Sequence, residues 1–145
     1  MTKSHGNFFF PLTIERDGDF LVLSFRDVPE ALGQIAVTDE DDLSKAARDT
    51  LMIALKYYFK YGQWIPDGSA PEKGEQLIEL PLSFVAKIIL HNSMISHGVR
   101  PAELARRMGI STAEIARITN PNYKTKIDTL AAAVRAAGGT IRLTV

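Results

Sequence analysis

Apolar and polar residues alternate through Phe8-Phe9-Phe10-Pro11-Leu12-Thr13-Ile14-Glu15, which puts Phe10, Leu12 and Ile14 on one face. The alternation returns from Phe20 to Arg26, with Leu21, Leu23 and Phe25 together. A period of two marks a half-buried strand. Asp17-Gly18 between the runs offers a glycine that takes positive φ without steric cost, so the pair reads as a hairpin. Pro11 has no N–H for a ladder, which points to an edge position for the first strand. A turn at Asp27-Val28-Pro29-Glu30 leads to a third candidate strand, Gln34 to Val37. The period then changes. Leu43, Ala47, Leu51, Ala54, Leu55 and Tyr58 form the buried stripe of a helix that Thr38 can cap. Asp39, Glu40, Asp41 and Asp42 fill its first turn, where carboxylates complement the helix dipole, and Gly62 ends it after about Tyr61. Pro66 to Gln76, rich in Pro, Gly and Ser, is a loop. Leu77-Ile78-Glu79-Leu80 is a short apolar strand able to return to the same sheet.

After Pro81 the pattern is helical. Leu82 to Ile95 is apolar on most sides, as the centre of a domain or a seam between two copies would be, and Gly98 closes it. Five features then agree within Pro101 to Asn120. Pro101 stands where a first-turn proline is tolerated. Leu104, Ile115 and Ile118 are spaced to meet between two crossing helices, and Ala105 is small where the backbones come closest. Gly109 sits at the bend, and Ser111 with Glu114 forms a capping box. Together they spell a helix-turn-helix. Pro121 ends the second helix. Thr125 and Asp128 open another, with the stripe Ile127, Leu130, Ala131 and Val134, and Gly138-Gly139 stops it. Thr140 to Val145 alternates and reads as a terminal strand, whose natural partner is the same strand of a second copy. The fold class is therefore α+β. An N-terminal β-β-β-α-β domain covers residues 1–80, and an all-α helix-turn-helix domain with a short terminal strand covers 81–145.

Composition adds exclusions. The 145 residues, 46% hydrophobic and 23% charged, suit one ordinary domain or two small ones and argue against a disordered chain. No apolar run reaches membrane-spanning length, and Met1-Thr2-Lys3-Ser4-His5-Gly6 lacks the apolar core of a secretory signal. The absence of cysteine removes disulfides and thiolate chemistry and fits a cytoplasmic protein. The net charge of +0 excludes a uniformly basic coat but hides a division. Residues 1–80 carry 8 Lys/Arg against 14 Asp/Glu, a net of −6, and residues 81–145 carry 9 against 3, a net of +6. A basic half suits phosphates and an acidic half suits a basic protein.

In a helix-turn-helix the second helix lies in the major groove. Removing the core positions leaves Ser111, Thr112, Ala113, Ala116, Arg117 and Asn120 facing outward. Arg117 can read guanine with two hydrogen bonds, and Ala113 and Ala116 are small enough to approach thymine methyls. Arg106, Arg107, Lys124 and Lys126 flank the helix and suit phosphates. His91 and His97 are six apart rather than the three or four that place two ligands on one face, so no metal site is expected. The aromatics Tyr57, Tyr58, Phe59, Tyr61 and Trp64 lie in the acidic half, which favours packing or a protein interface over base stacking.

The chain resembles the HicB-type antitoxins of bacterial toxin–antitoxin modules, in the subgroup with a C-terminal helix-turn-helix. The resemblance runs from about Phe10 to the end. It rests on Phe10 to Ile14, Val22 to Leu32, the Ala46 to Phe59 helix, Trp64-Ile65-Pro66, Glu79 to Ser83, Glu103 to Gly109 and Thr125 to Asp128, in this order and spacing. Asp67-Gly68 departs from the family's frequent second proline before a serine. The resemblance implies an N-terminal domain similar to a truncated, inactive RNase H fold. It also implies a HicA-type partner, a small basic ribonuclease whose catalytic histidine the antitoxin covers. Finally, it implies repression of the protein's own operon through operator DNA, as a homodimer or tetramer. The turn Asp27, Val28, Pro29 and Glu30, with Asp39 and Glu40 at the helix start, supplies the candidate toxin contacts.

Two other functional classes make different demands on the sequence. An RNase H-type nuclease needs carboxylates converging on two metals. Asp39 to Asp42 are consecutive and fan around the helix axis, and the remaining acids fall in turns, so no enzyme, cofactor or metal is expected. A stand-alone helix-turn-helix repressor with a ligand-sensing N-terminal domain requires a closed apolar pocket and no dedicated protein partner.

Overall fold

The structure, a computed structural model, describes residues 8–142. The first two alternating runs form strands β1 (Phe9–Asp17) and β2 (Phe20–Phe25), joined through Gly18 at φ 61°. Strand β3 (Leu32–Ala36) follows the Asp27–Glu30 turn, a 3₁₀ segment spans Val37–Asp42, and helix α1 runs Leu43–Lys60. Strand β4 (Gln76–Glu79) returns to the sheet, whose order is β3-β2-β1-β4, antiparallel throughout. The pairings Phe10↔Ile78 and Leu12↔Phe25 gather the buried side chains on one face, with Leu21 and Leu23 beside them. Helix α1 lies on this face with Ala47, Leu51, Ala54 and Leu55 buried. Thr50 meets Gly33 of β3, and Arg48 Nε donates to the Glu79 carbonyl of β4 at 3.1 Å.

In the sheet and the start of its helix, three details differ from the sequence reading. Strand β1 is interior, not an edge, despite Pro11. The alternation set by the closing pair Asp17↔Phe20 turns the main-chain groups of odd-numbered β1 residues toward β2, and Pro11 lies one residue past the last β1–β2 pair, Leu12↔Phe25. No ladder bond is therefore lost there. The third strand starts at Leu32, two residues earlier than the alternation indicated. Thr38 does not cap α1: the acidic run forms the 3₁₀ turn, with Asp39 outside helical geometry, and the regular helix begins at Leu43. Successive Asp side chains compete for nearby backbone donors and disfavour α propagation.

The rest of the chain is helical: α2 (Leu82–His97), α3 (Pro101–Met108), α4 (Thr112–Thr119) and α5 (Ile127–Ala136). Gly98 and Gly109 end α2 and α3 in left-handed geometry, at φ 62° and 67°. Pro101 opens α3, and Ser111 Oγ accepts the Glu114 N–H at 3.1 Å to cap α4. Thr125 does not cap α5, whose N-cap position is Lys126. Ala86 and Leu90 of α2 pack with Leu104, Ala105, Ile115, Ile118, Leu130, Ala133 and Val134 into one core, so the apolar α2 is the centre of this unit. Residues 140–142 are not in a strand, and Leu143 to Val145 of the expected terminal strand lie outside the described residues.

The chain divides into two compact units, residues 1–58 with 66–80 and residues 59–65 with 81–145. The segment 59–65, read from sequence with the N-terminal part, is fastened within the second unit. The amide of Asn92 accepts the Ile65 N–H at 3.0 Å and donates to the Ile65 carbonyl at 2.9 Å. Phe59 meets Phe84 edge-on and lies 4.9 Å from the His91 ring, and His91 Nε2 is 2.6 Å from the Gln63 carbonyl.

A Cβ on Gly33 would stand 2.5 Å from Thr50 Oγ1, and Thr50 is tethered by donating to the Ala46 carbonyl at 2.8 Å. Gly33→Ala is expected to lower stability by about 1–3 kcal/mol in urea unfolding, the usual cost of overpacking. Adding Thr50→Ala should recover most of the loss. An unchanged midpoint in the single variant contradicts the close approach of α1 to β3.

Candidate nucleic-acid interface

Helices α3 and α4 are eight residues each, too short to persist alone, so tertiary contacts fix their positions. Leu104 and Ala105 of α3 face Ile115 and Ile118 of α4 in the core. That burial turns the opposite side of α4 outward. Ser111, Thr112, Ala113, Ala116 and Arg117 are exposed, and Asn120 is half-buried at the C-cap. Ala113, Ala116, Arg117 and Asn120 follow helical spacing and share a face. Among the described residues the Arg117 guanidinium has no hydrogen-bond or ion-pair partner, and Lys124 and Lys126 likewise project unpaired into solvent.

The two arginines of α3 differ. Glu103 binds both: Arg106 with both carboxylate oxygens, Arg107 Nε at 3.0 Å. Arg107 Nη1 also donates to the Ala136 carbonyl at the end of α5, at 2.8 Å. Arg106, with 73% of its side chain exposed, remains accessible, whereas Arg107 serves mainly to join α3 to α5. The paired guanidiniums hold the Glu103 carboxyl at about 2.

Sequence reasoning missed Lys87. It stands on α2 as a charged residue with only 2% exposure. Its ammonium donates to the carbonyls of Arg117 (3.3 Å), Asn120 (2.5 Å) and Tyr123. Burial pushes its pKa below the ordinary lysine range. The carbonyl oxygens favour the protonated form. The available signal was a single lysine in the middle of an otherwise apolar helix.

In the acidic unit the candidate contacts separate. Val28 is fully buried and presents no surface. Asp27 accepts the Ser69 N–H at 2.8 Å and the Ser69 hydroxyl at 2.6 Å, and Arg26 beside it binds Glu75 at 3.0 Å, so this pair anchors the 66–75 loop. Glu30, exposed, accepts the Tyr58 hydroxyl at 2.7 Å, and burial together with that carboxylate raises Tyr58 to about 12. Pro29, Asp39 and Glu40 are exposed. The Asp27–Glu30 turn precedes β3 and the Asp39–Glu40 turn follows it, so the structure does not bring them together. The length of β3, ~16 Å for five residues, lies between them.

The sequence profile of a family described as the HicB-like antitoxin of bacterial toxin–antitoxin systems matches residues 9–89. The chain is also 39% identical over 137 residues to Antitoxin HicB 2 of Photorhabdus laumondii, covering 94% of this chain and 96% of that one. The chain belongs to the HicB-like antitoxin family. Antitoxin HicB of Escherichia coli is 37% identical over 132 residues, 91% of this chain and 94% of its own, and Antitoxin HicB of Pseudomonas fluorescens is 30% identical over 139, 95% and 94%. The likeness to these HicB antitoxins therefore spans both compact units. Among the described residues no helix is long and apolar enough to cross a membrane, and no group of three or more His, Asp or Glu side chains is arranged to hold a metal ion.

The Glu103 arrangement sets a pH dependence. A carboxyl lowered in the folded state supports the fold fully above its unfolded value near 4.5 and loses that support as pH falls through about 2. Carbon-detected NMR titration of the Glu103 carboxyl should give a midpoint near 2, moving toward 4.5 when Arg106 and Arg107 are both replaced by Ala. A midpoint near 4.5 in the unmutated chain contradicts the paired geometry.

Proposed function

We propose that this HicB-family antitoxin neutralises a HicA-type toxin, a small basic ribonuclease, with its acidic unit and represses its own operon by binding operator DNA with its basic unit. The observation carrying the DNA reading is the outward face of α4, where Arg117 stands unpaired between exposed small residues. In this reading α3 and α4 act as a helix-turn-helix, and α4 enters the major groove. Arg117 donates twice to a guanine edge, and Ala113 and Ala116 approach thymine methyls. Thr112, the Ser111 cap and Asn120 lie at the two ends of the reading helix. Arg106, Lys124 and Lys126 meet phosphates, with Arg107 contributing through its hold on α5. Two copies reading two half-sites give a homodimer, and pairing of such dimers a tetramer.

The toxin reading is supported by family membership and by charge. Unit one carries 7 Lys/Arg against 14 Asp/Glu, and unit two 10 against 3. A basic ribonuclease is drawn to the first and a polyanion to the second. Pro29 and Glu30 form one candidate toxin patch, Asp39 and Glu40 a second. Asp27 supports the first from below. Both jobs are binding, carried out in the cytoplasm without a cofactor.

Co-expression with the toxin of the same operon tests both parts. Arg117→Ala should still protect cells from the toxin, while its preference for operator over scrambled DNA falls by about 1–3 kcal/mol, the worth of one bidentate base contact. Loss of protection with normal operator binding contradicts the assignment of the two tasks to the two units.

A further inference from the structure

We infer that Lys87 is a positioning residue for DNA recognition, fixing the end of α4 that carries Arg117 relative to the Lys124–Lys126 segment without touching nucleic acid itself. The inference rests on the DNA reading proposed above and adds a residue to it. The geometry carries it. Lys87 belongs to α2, the helix at the centre of the unit, and its burial leaves no surface for a ligand. The three carbonyls it engages belong to the last turn of α4 (Arg117), to its C-cap (Asn120) and to the turn beyond (Tyr123).

These acceptors are also linked by local bonds. Asn120 N–H donates to the Arg117 carbonyl and Tyr123 N–H to the Asn120 carbonyl, both at 3.2 Å, and Asn122 N–H donates to Asn120 Oδ1 at 2.9 Å. The last turn of α4 and the Asn120–Tyr123 turn thus form one small hydrogen-bonded body, and the ammonium clamps that body to α2. Lys124 follows Tyr123 directly, so the same clamp sets where the phosphate-binding segment leaves. Burying a charge is costly unless it is fully hydrogen-bonded. Main-chain acceptors at a helix C-terminus, which carries partial negative charge, meet that condition. An apolar side chain would fill the space, but the outer lone pairs of these carbonyls would lose their partner and the body could shift on α2. Recognition by a bidentate arginine depends on position to a fraction of an ångström.

The test uses the full-length chain. The probes are a duplex fragment from the region upstream of the chain's own coding sequence and a scrambled duplex of equal length. Partial unfolding lowers the apparent affinity for both duplexes by the same factor and leaves their ratio untouched. The ratio therefore separates positioning from mere stability. Lys87→Met is expected to reduce the operator-to-scrambled ratio by about tenfold or more, the scale of one misplaced base contact. Should Lys87→Met fail to fold, Lys87→Gln serves: it keeps an uncharged donor that is too short to span all three carbonyls, and a smaller fall in the same ratio is expected. An unchanged ratio in a folded variant overturns the inference while leaving the DNA reading intact. A wild-type chain with no preference between the two duplexes overturns the DNA reading and this inference with it.

Discussion

The second unit depends on one constraint. Two helices of eight residues cannot hold themselves, so the interior of the unit dictates where they lie. Leu90 of α2 and Leu130 and Val134 of α5 close around Leu104 and Ile115, and these contacts decide which side of α4 is wet. From that follow the exposed Arg117, the small residues beside it and the placement of the cations around them. Lys87 completes the constraint with hydrogen bonds where apolar contact cannot reach, at the carbonyl end of α4.

Charge in the sequence and charge available to a partner are different quantities. Arg106 and Arg107 share Glu103, and Arg107 is further committed to α5. Arg26, Asp27 and Glu75 hold a loop, and Glu30 takes a hydrogen bond from Tyr58. Among the candidate contact residues, those that remain outward and uncommitted are Arg117, Lys124 and Lys126 on the basic side, and Asp39 and Glu40 on the acidic side. The opposed signs of the two units survive this reduction.

Much of the fold was legible in the sequence because its signals are local. Period-two alternation located β1 and β2, and the change to helical spacing located α1. Pro101, Gly109 and the Ser111–Glu114 pair marked the ends of α3 and α4, where backbone geometry singles out those residue types. The outward face of α4 followed by subtraction of the core. Features that depend on distant partners were not legible. Pro11 is harmless inside the sheet only because of the register of β1 and β2. Val28 is core and Asp27 a loop anchor because of what packs against them. Lys87 and Asn92 look like polar interruptions of an apolar helix, and only the fold supplies the carbonyls of Arg117, Asn120 and Tyr123 for one and the Ile65 backbone for the other.

The central claim is that the exposed cations of the basic unit meet a polyanionic duplex. Its most direct measurement is the affinity of the full-length chain for its upstream DNA as a function of salt. With Arg106, Lys124 and Lys126 on phosphates in each of two copies, log K should fall linearly with log salt at a slope of about −5, a loss on the order of a thousandfold between 50 and 200 mM. A slope near zero would contradict the account.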